Sequence, residues 1–144
     1  SGNLPLHLFL ESCMVSRERA LNFGFSRNKD EYKAAVVKCF EVILAANRNA
    51  AKMMNGEGRH PLHVAIESCP ALYGGIIEPL LGLAPRSLLA RDMKTRLYPF
   101  AAAAIGADAD LDTAYNLLRR DPSVLNRYLT TTRARRKRKN LTYF

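Results

Sequence analysis

A nine-residue segment occurs twice in this chain. Pro61-Leu62-His63-Val64-Ala65-Ile66-Glu67-Ser68-Cys69 restates Pro5-Leu6-His7-Leu8-Phe9-Leu10-Glu11-Ser12-Cys13, which stands 56 positions earlier. Pro, Leu, His, Glu, Ser and Cys coincide in register, and a weaker third copy begins at Pro99 as Pro99-Phe100-Ala101-Ala102-Ala103-Ala104. Recurrence at intervals of a few tens of residues is the mark of stacked supersecondary units. Each copy is built to open a short helix, because Pro at the first helical position forfeits no hydrogen bond and its φ is already helical. The residues that follow are small or apolar almost all round. So short a helix is unstable alone in water, and the pattern predicts burial by neighbours on both sides.

The second half of the unit recurs as well. Leu80-Leu81-Gly82-Leu83-Ala84-Pro85-Arg86-Ser87-Leu88 aligns with Leu117-Leu118-Arg119-Arg120-Asp121-Pro122-Ser123-Val124-Leu125, and Val42-Ile43-Leu44-Ala45-Ala46-Asn47 takes the corresponding place in the first unit. Pro61 to Pro99 is 38 residues and Leu81 to Leu118 is 37, so the period is close to those values, with an insertion lengthening the first unit.

Pro61-Leu62-His63-Val64-Ala65 matches the Pro-Leu-His-x-Ala core of the ankyrin repeat, whose usual length is about 33 residues. The chain resembles a divergent, lengthened ankyrin-like array of the kind found in algal and oomycete proteins. There, openings such as Leu4-Pro5-Leu6-His7 and Leu97-Tyr98-Pro99-Phe100 recur. The signature residues are Pro5, Leu6, His7, Pro61, Leu62, His63 and Pro99. Phe9 stands where the family has a small Ala, and the third unit lacks the His. The resemblance implies an all-α stack of about three helix–turn–helix repeats (an α-solenoid) over residues 1–129, with an insertion at 15–29, followed by a basic extension at 130–144. It also implies a non-enzymatic scaffold that another protein docks on. Such arrays bind through the residues just before each unit's first helix, here Glu57, Arg59, His60, Lys94, Arg96 and Tyr98.

Composition agrees with an all-helical chain. Ala and Leu abound, Trp is absent and strand-like alternation is rare, which favours helix. No apolar run approaches the 18 or more residues of a membrane span. Three cysteines, Cys13, Cys39 and Cys69, are an odd number in a chain whose opening residues carry no secretory signal. They read as small buried hydrophobes in a reducing compartment, which places the protein inside the cell, in nucleus or cytoplasm. The array opens without a polar capping helix, so an earlier segment or a partner is expected to cover that face.

Along the chain the pattern predicts helices over 5–14, about 31–47 with Asp30 as its cap, 61–68, 75–83, 99–105, 110–119 and 122–129. Brief turns are expected at 50–54 and 86–90. The apolar face of the second helix is Ala35, Val36, Cys39, Phe40, Ile43 and Leu44. The insertion reads as a surface loop whose Phe23 and Phe25 tuck against the first helix pair or, in the sharper alternative, form an apolar contact for another protein.

Several constellations have a chemical reading. His7 with Glu11, and His63 with Glu67, share a helix face, but neither pair has further ligands at metal-binding spacing. In ankyrin-like repeats this His resembles one that hydrogen-bonds backbone between adjacent units. Cys69 lies six residues from His63, where the two side chains point in different directions, so a nucleophile–base pair is not formed. Gly74-Gly75 is not followed by the Lys and Ser/Thr of a phosphate-binding loop. The sequence thus offers no catalytic, metal or cofactor site, no small-molecule substrate and no membrane partner.

The remaining feature is the end of the chain. Arg133, Arg135, Arg136, Lys137, Arg138 and Lys139 lie within seven residues, and without these six the other 16 cations against 13 acids leave only +3 of the +9 net charge. A block of like charge repels itself and is expected to stay disordered until an anion meets it. It resembles a nuclear import signal, and equally a patch for RNA or DNA phosphates. The alternative function is therefore a nucleic-acid-associated protein, such as a ribonucleoprotein component, held by this tail.

Overall fold

In the computed structural model, residues 4–22, 29–69, 72–105 and 108–141 are described. The fold is all-α, and among the described residues there is no strand. In order come α1 (Pro5–Asn22), α2 (Lys29–Ala46), a 3-10 turn (Arg48–Lys52), α3 (Pro61–Ser68), a π-type turn (Tyr73–Ile77) running into α4 (Glu78–Leu83), a second 3-10 turn (Pro85–Leu89), α5 (Pro99–Ala104), α6 (Leu111–Arg120) and α7 (Ser123–Leu141). No helix is long and apolar enough to cross a membrane.

The Pro-led helices lie next to one another. α1 packs on α3, and α3 packs in turn on α5. α3 accordingly buries seven of its eight residues, all but Glu67. Leu6, Leu10, Phe40, Leu62, Val64, Ala65, Ile76, Ile77, Leu80 and Leu117 form the centre of one core. α2 faces that core with a narrow stripe, Val36, Phe40 and Leu44, spaced one helical turn apart.

Several expectations are corrected. α1 does not stop near residue 14 but runs on to Asn22, so half of the insertion is helix. Phe23 and Phe25 lie outside the described residues. α2 begins one residue before Asp30, which sits in the first turn with Glu31, where its charge favours the helix dipole, rather than capping from outside. Ala35 and Cys39 point to solvent, so Cys39 is exposed while Cys13 and Cys69 are buried. The buried pair occupies equivalent positions of the duplicated segment and meets in a thiol–thiol hydrogen bond that lowers the Cys13 pKa. The largest difference is at the end of the chain. The short helix expected at 122–129 continues through the basic run to Leu141, and the boundary drawn at residue 130 falls inside α7.

Candidate functional site

The segments ahead of α3 and α5 are two turns of one design. In each, an Asn or Asp closes the turn with its backbone: Asn55 N–H donates to the Arg59 carbonyl at 3.0 Å, and Asp92 N–H to the Leu97 carbonyl at 2.9 Å. Their side chains cap the turn from within. Asn55 Oδ1 accepts from the N–H groups of Glu57 (3.0 Å) and Arg59 (2.9 Å), and Asp92 Oδ1 accepts from Lys94 N–H (3.1 Å). This local capping is the chemistry that favours Asn and Asp in turns. Three residues before each Pro the backbone turns left-handed, at Gly58 (φ 73°) and Arg96 (φ 63°). A side chain is tolerated at Arg96, whereas at Gly58 an added Cβ would also press to 3.1 Å from Met93 Cγ.

Each imidazole of the Pro-Leu-His segments reaches to the backbone ahead of the next Pro-led helix. His7 Nε2 donates to the Arg59 carbonyl at 3.2 Å, and His63 Nε2 to the Ala90 carbonyl at 3.1 Å. A carbonyl only accepts, so Nε2 carries the hydrogen in both rings. Burial lowers the pKa of His7, His60 and His63 and keeps all three neutral near pH 7.

Arg59 joins the two turns. Its Nε and Nη2 donate to Asp92 Oδ1 and Oδ2, both at 2.9 Å, and Nη2 also donates to Glu67 Oε2 at 2.6 Å. Lys94 Nζ completes the chain on Glu67 Oε1 at 3.1 Å. Arg59 is only 4% exposed and Asp92 2%. Their two-pronged geometry is what a planar guanidinium and a carboxylate need when buried together. Burial pushes the Asp92 and Glu67 carboxyls up, but the hydrogen bonds and charge of Arg59, with those of Lys94 at Glu67, outweigh it and hold both below the usual range. Both carboxylates are therefore ionised at neutral pH. His7 thus holds the backbone of the residue whose guanidinium ties the next turn in place.

Behind this network lies a groove of about 260 Å³. Ile66, Ile77, Leu97, Ala102 and Ala103 supply its apolar wall, and Glu67, Asp92, Asp108 and Asp110 its carboxylates. Asp110 is the N-cap of α6, accepting from Thr113 N–H at 3.1 Å.

The sequence-derived contact residues separate into two groups. Glu57, Lys94 and Arg96 are exposed on the turns, and His60 is half-buried. Arg59 and Tyr98 are corrected: both are buried and serve the interior. Tyr98 lies under the Arg91 guanidinium, 4.8 Å from its ring centroid, and packs near Phe100 and Tyr128. The same two loops also expose Met53 (48%), Met54 (56%) and Met93 (49%), which sequence reasoning passed over. Their position beside Asn55 and Asp92, the residues that begin each turn, was the available signal.

Towards the end of the chain, Arg133, Arg135, Arg136, Lys137 and Arg138 are exposed on α7, and Lys139 belongs to the same helix. The chain matches no family model, no curated protein and no solved structure.

Proposed function

We propose that this protein is a non-enzymatic interaction module, an ankyrin-like stack of about three helix pairs that another folded protein docks on. The observation that carries the reading is the Arg59–Asp92–Glu67 network, which holds two successive turns in one rigid edge. Met53, Met54 and Met93 give that edge an apolar component, and Glu57, Lys94 and Arg96 surround it with charge. Flexible thioethers flanked by charged groups suit a protein surface, since Met adapts to the partner's shape while the charges select it. A preformed edge also binds with little ordering cost.

The test is a binding measurement with a partner captured from native lysate, identified and purified. Glu57→Lys with Arg96→Glu, and separately Met54→Asp with Met93→Asp, are expected to weaken that complex by about tenfold or more, as changes at an interface centre do, without lowering the melting temperature. A partner held equally by both variants, yet lost on removal of residues 130–144, overturns the docking edge.

A further inference from the structure

The outer part of α7 has no role in the docking edge. Val124 is fully buried, and Tyr128 packs edge-on against Phe100 with ring centroids 5.6 Å apart, so the first turns hold the helix to the body. From Leu129 to Arg138 every residue is exposed. Arg133, Arg135, Arg136, Lys137 and Arg138 stand along this stretch. At about 100° per residue they leave no arc of the circumference wider than about 100° without a cation.

That distribution discriminates among anionic partners. A lipid surface calls for a helix with one apolar and one charged face, and Ala134 is the sole apolar residue between 130 and 138. Single strands are gripped by aromatic platforms, and residues 129–138 contain no aromatic. The major groove of an A-form duplex is too deep and narrow to be read by side chains. The major groove of B-form DNA is about 12 Å wide, takes a helix of about 10–12 Å diameter, and presents phosphates on both walls. A helix with cations on all sides meets both walls at once. The helical run from residue 129 to 141 is roughly 19 Å long, the span of about six base pairs.

We infer that α7 is a contact element for duplex DNA, lying in the major groove with its Arg and Lys side chains on the phosphates of both walls. The contacts are to phosphate, so they carry no base preference of their own.

The experiment titrates the full chain against a mixed-sequence DNA duplex of about 20 base pairs across a salt series, with single-stranded DNA, an RNA duplex and anionic phospholipid vesicles in parallel. If about five phosphates are neutralised, the logarithm of affinity falls with the logarithm of salt at a slope near −4.5, which is about 500-fold between 50 and 200 mM. The DNA duplex is expected to bind tightest, with guanine N7 protected from methylation over about six base pairs. Ala134→Pro keeps every cation but breaks the helix, and it is expected to abolish that protection while the body melts as before. Arg135→Gln with Arg136→Gln and Arg138→Gln is expected to flatten the slope by about three. Tighter binding to vesicles, RNA or single strands, N7 protection that survives Ala134→Pro, or an unchanged slope in the triple variant overturns the inference.

Discussion

Arg59 is the residue on which the two turns depend. Its guanidinium is the partner of the buried Asp92 carboxylate, and its carbonyl is the acceptor for His7. Arg59→Ala leaves that carboxylate buried without its counter-ion, which costs about 3–5 kcal/mol, a large share of a small domain's stability. Arg59→Lys restores a charge but not the fork, and is expected to recover only part of the loss. Urea unfolding of the two variants measures both. A loss below about 1 kcal/mol for Arg59→Ala would place the pair in the weak class of exposed surface bridges. The same cluster sets the acid response. His7, His60 and His63 have pKa values lowered from the ordinary 6.5, so below that pH the unfolded chain takes up more protons than the folded one. Their contribution is complete above pH 6.5 and declines as pH falls through it towards the lowered values. Asp92 and Glu67 are depressed instead, and their contribution is present above about pH 4 and lost as pH falls towards their folded values. Unfolding free energy measured across pH 3–8 is expected to decline in these two successive windows. A flat profile from pH 7 to 5 would contradict neutral buried imidazoles.

At the scale of elements, the duplicated Pro-Leu-His segments made α3 legible from sequence to the residue, 61–68, because Pro61 marks its start and an all-round apolar run demands a buried helix. α1 and α7 were cut short for opposite reasons. Val15-Ser16-Arg17-Glu18-Arg19-Ala20-Leu21-Asn22 breaks the repeat pattern, yet Arg, Glu, Ala and Leu are good helix formers, so loss of register does not mean loss of helix. In α7, self-repulsion of the basic run argued for disorder. There the Thr130 and Thr132 hydroxyls donate to the carbonyls of Asn126 (2.9 Å) and Tyr128 (2.8 Å) in the preceding turn, and Arg and Lys keep high helix propensity. The Arg59 network was not legible, because its partner lies 33 residues away and no local spacing announces it. Two predictions belong here. Gly75 sits where an added Cβ would come within 2.5 Å of Val37 Cγ2 on α2. Gly75→Ala is therefore expected to destabilise by about 1–3 kcal/mol, with part of the loss restored by adding Val37→Ala. Removing the stretch from residue 130 onward takes away a run that is exposed from 130 to 138 and is expected to leave the melting temperature unchanged. A marked fall in that temperature would mean that α7 supports the core beyond Val124 and Tyr128.

For the whole molecule, the account depends on the two copies of one segment standing side by side. α1 on α3 and α3 on α5 place the turns ahead of α3 and α5 within reach of a single arginine. The proposed docking edge and α7 both rest on that body. Because Cys13 and Cys69 occupy the same position in the two copies and their thiols are hydrogen-bonded, the arrangement is open to a covalent test. The folded Cys39→Ser variant is treated with a small-molecule thiol oxidant, and its mass and peptide map are read. The account predicts a monomer that has lost two hydrogens and carries one disulfide joining the Cys13 and Cys69 peptides. Persistence of both thiols under conditions that oxidise the urea-unfolded chain, or their pairing only between molecules, would contradict it.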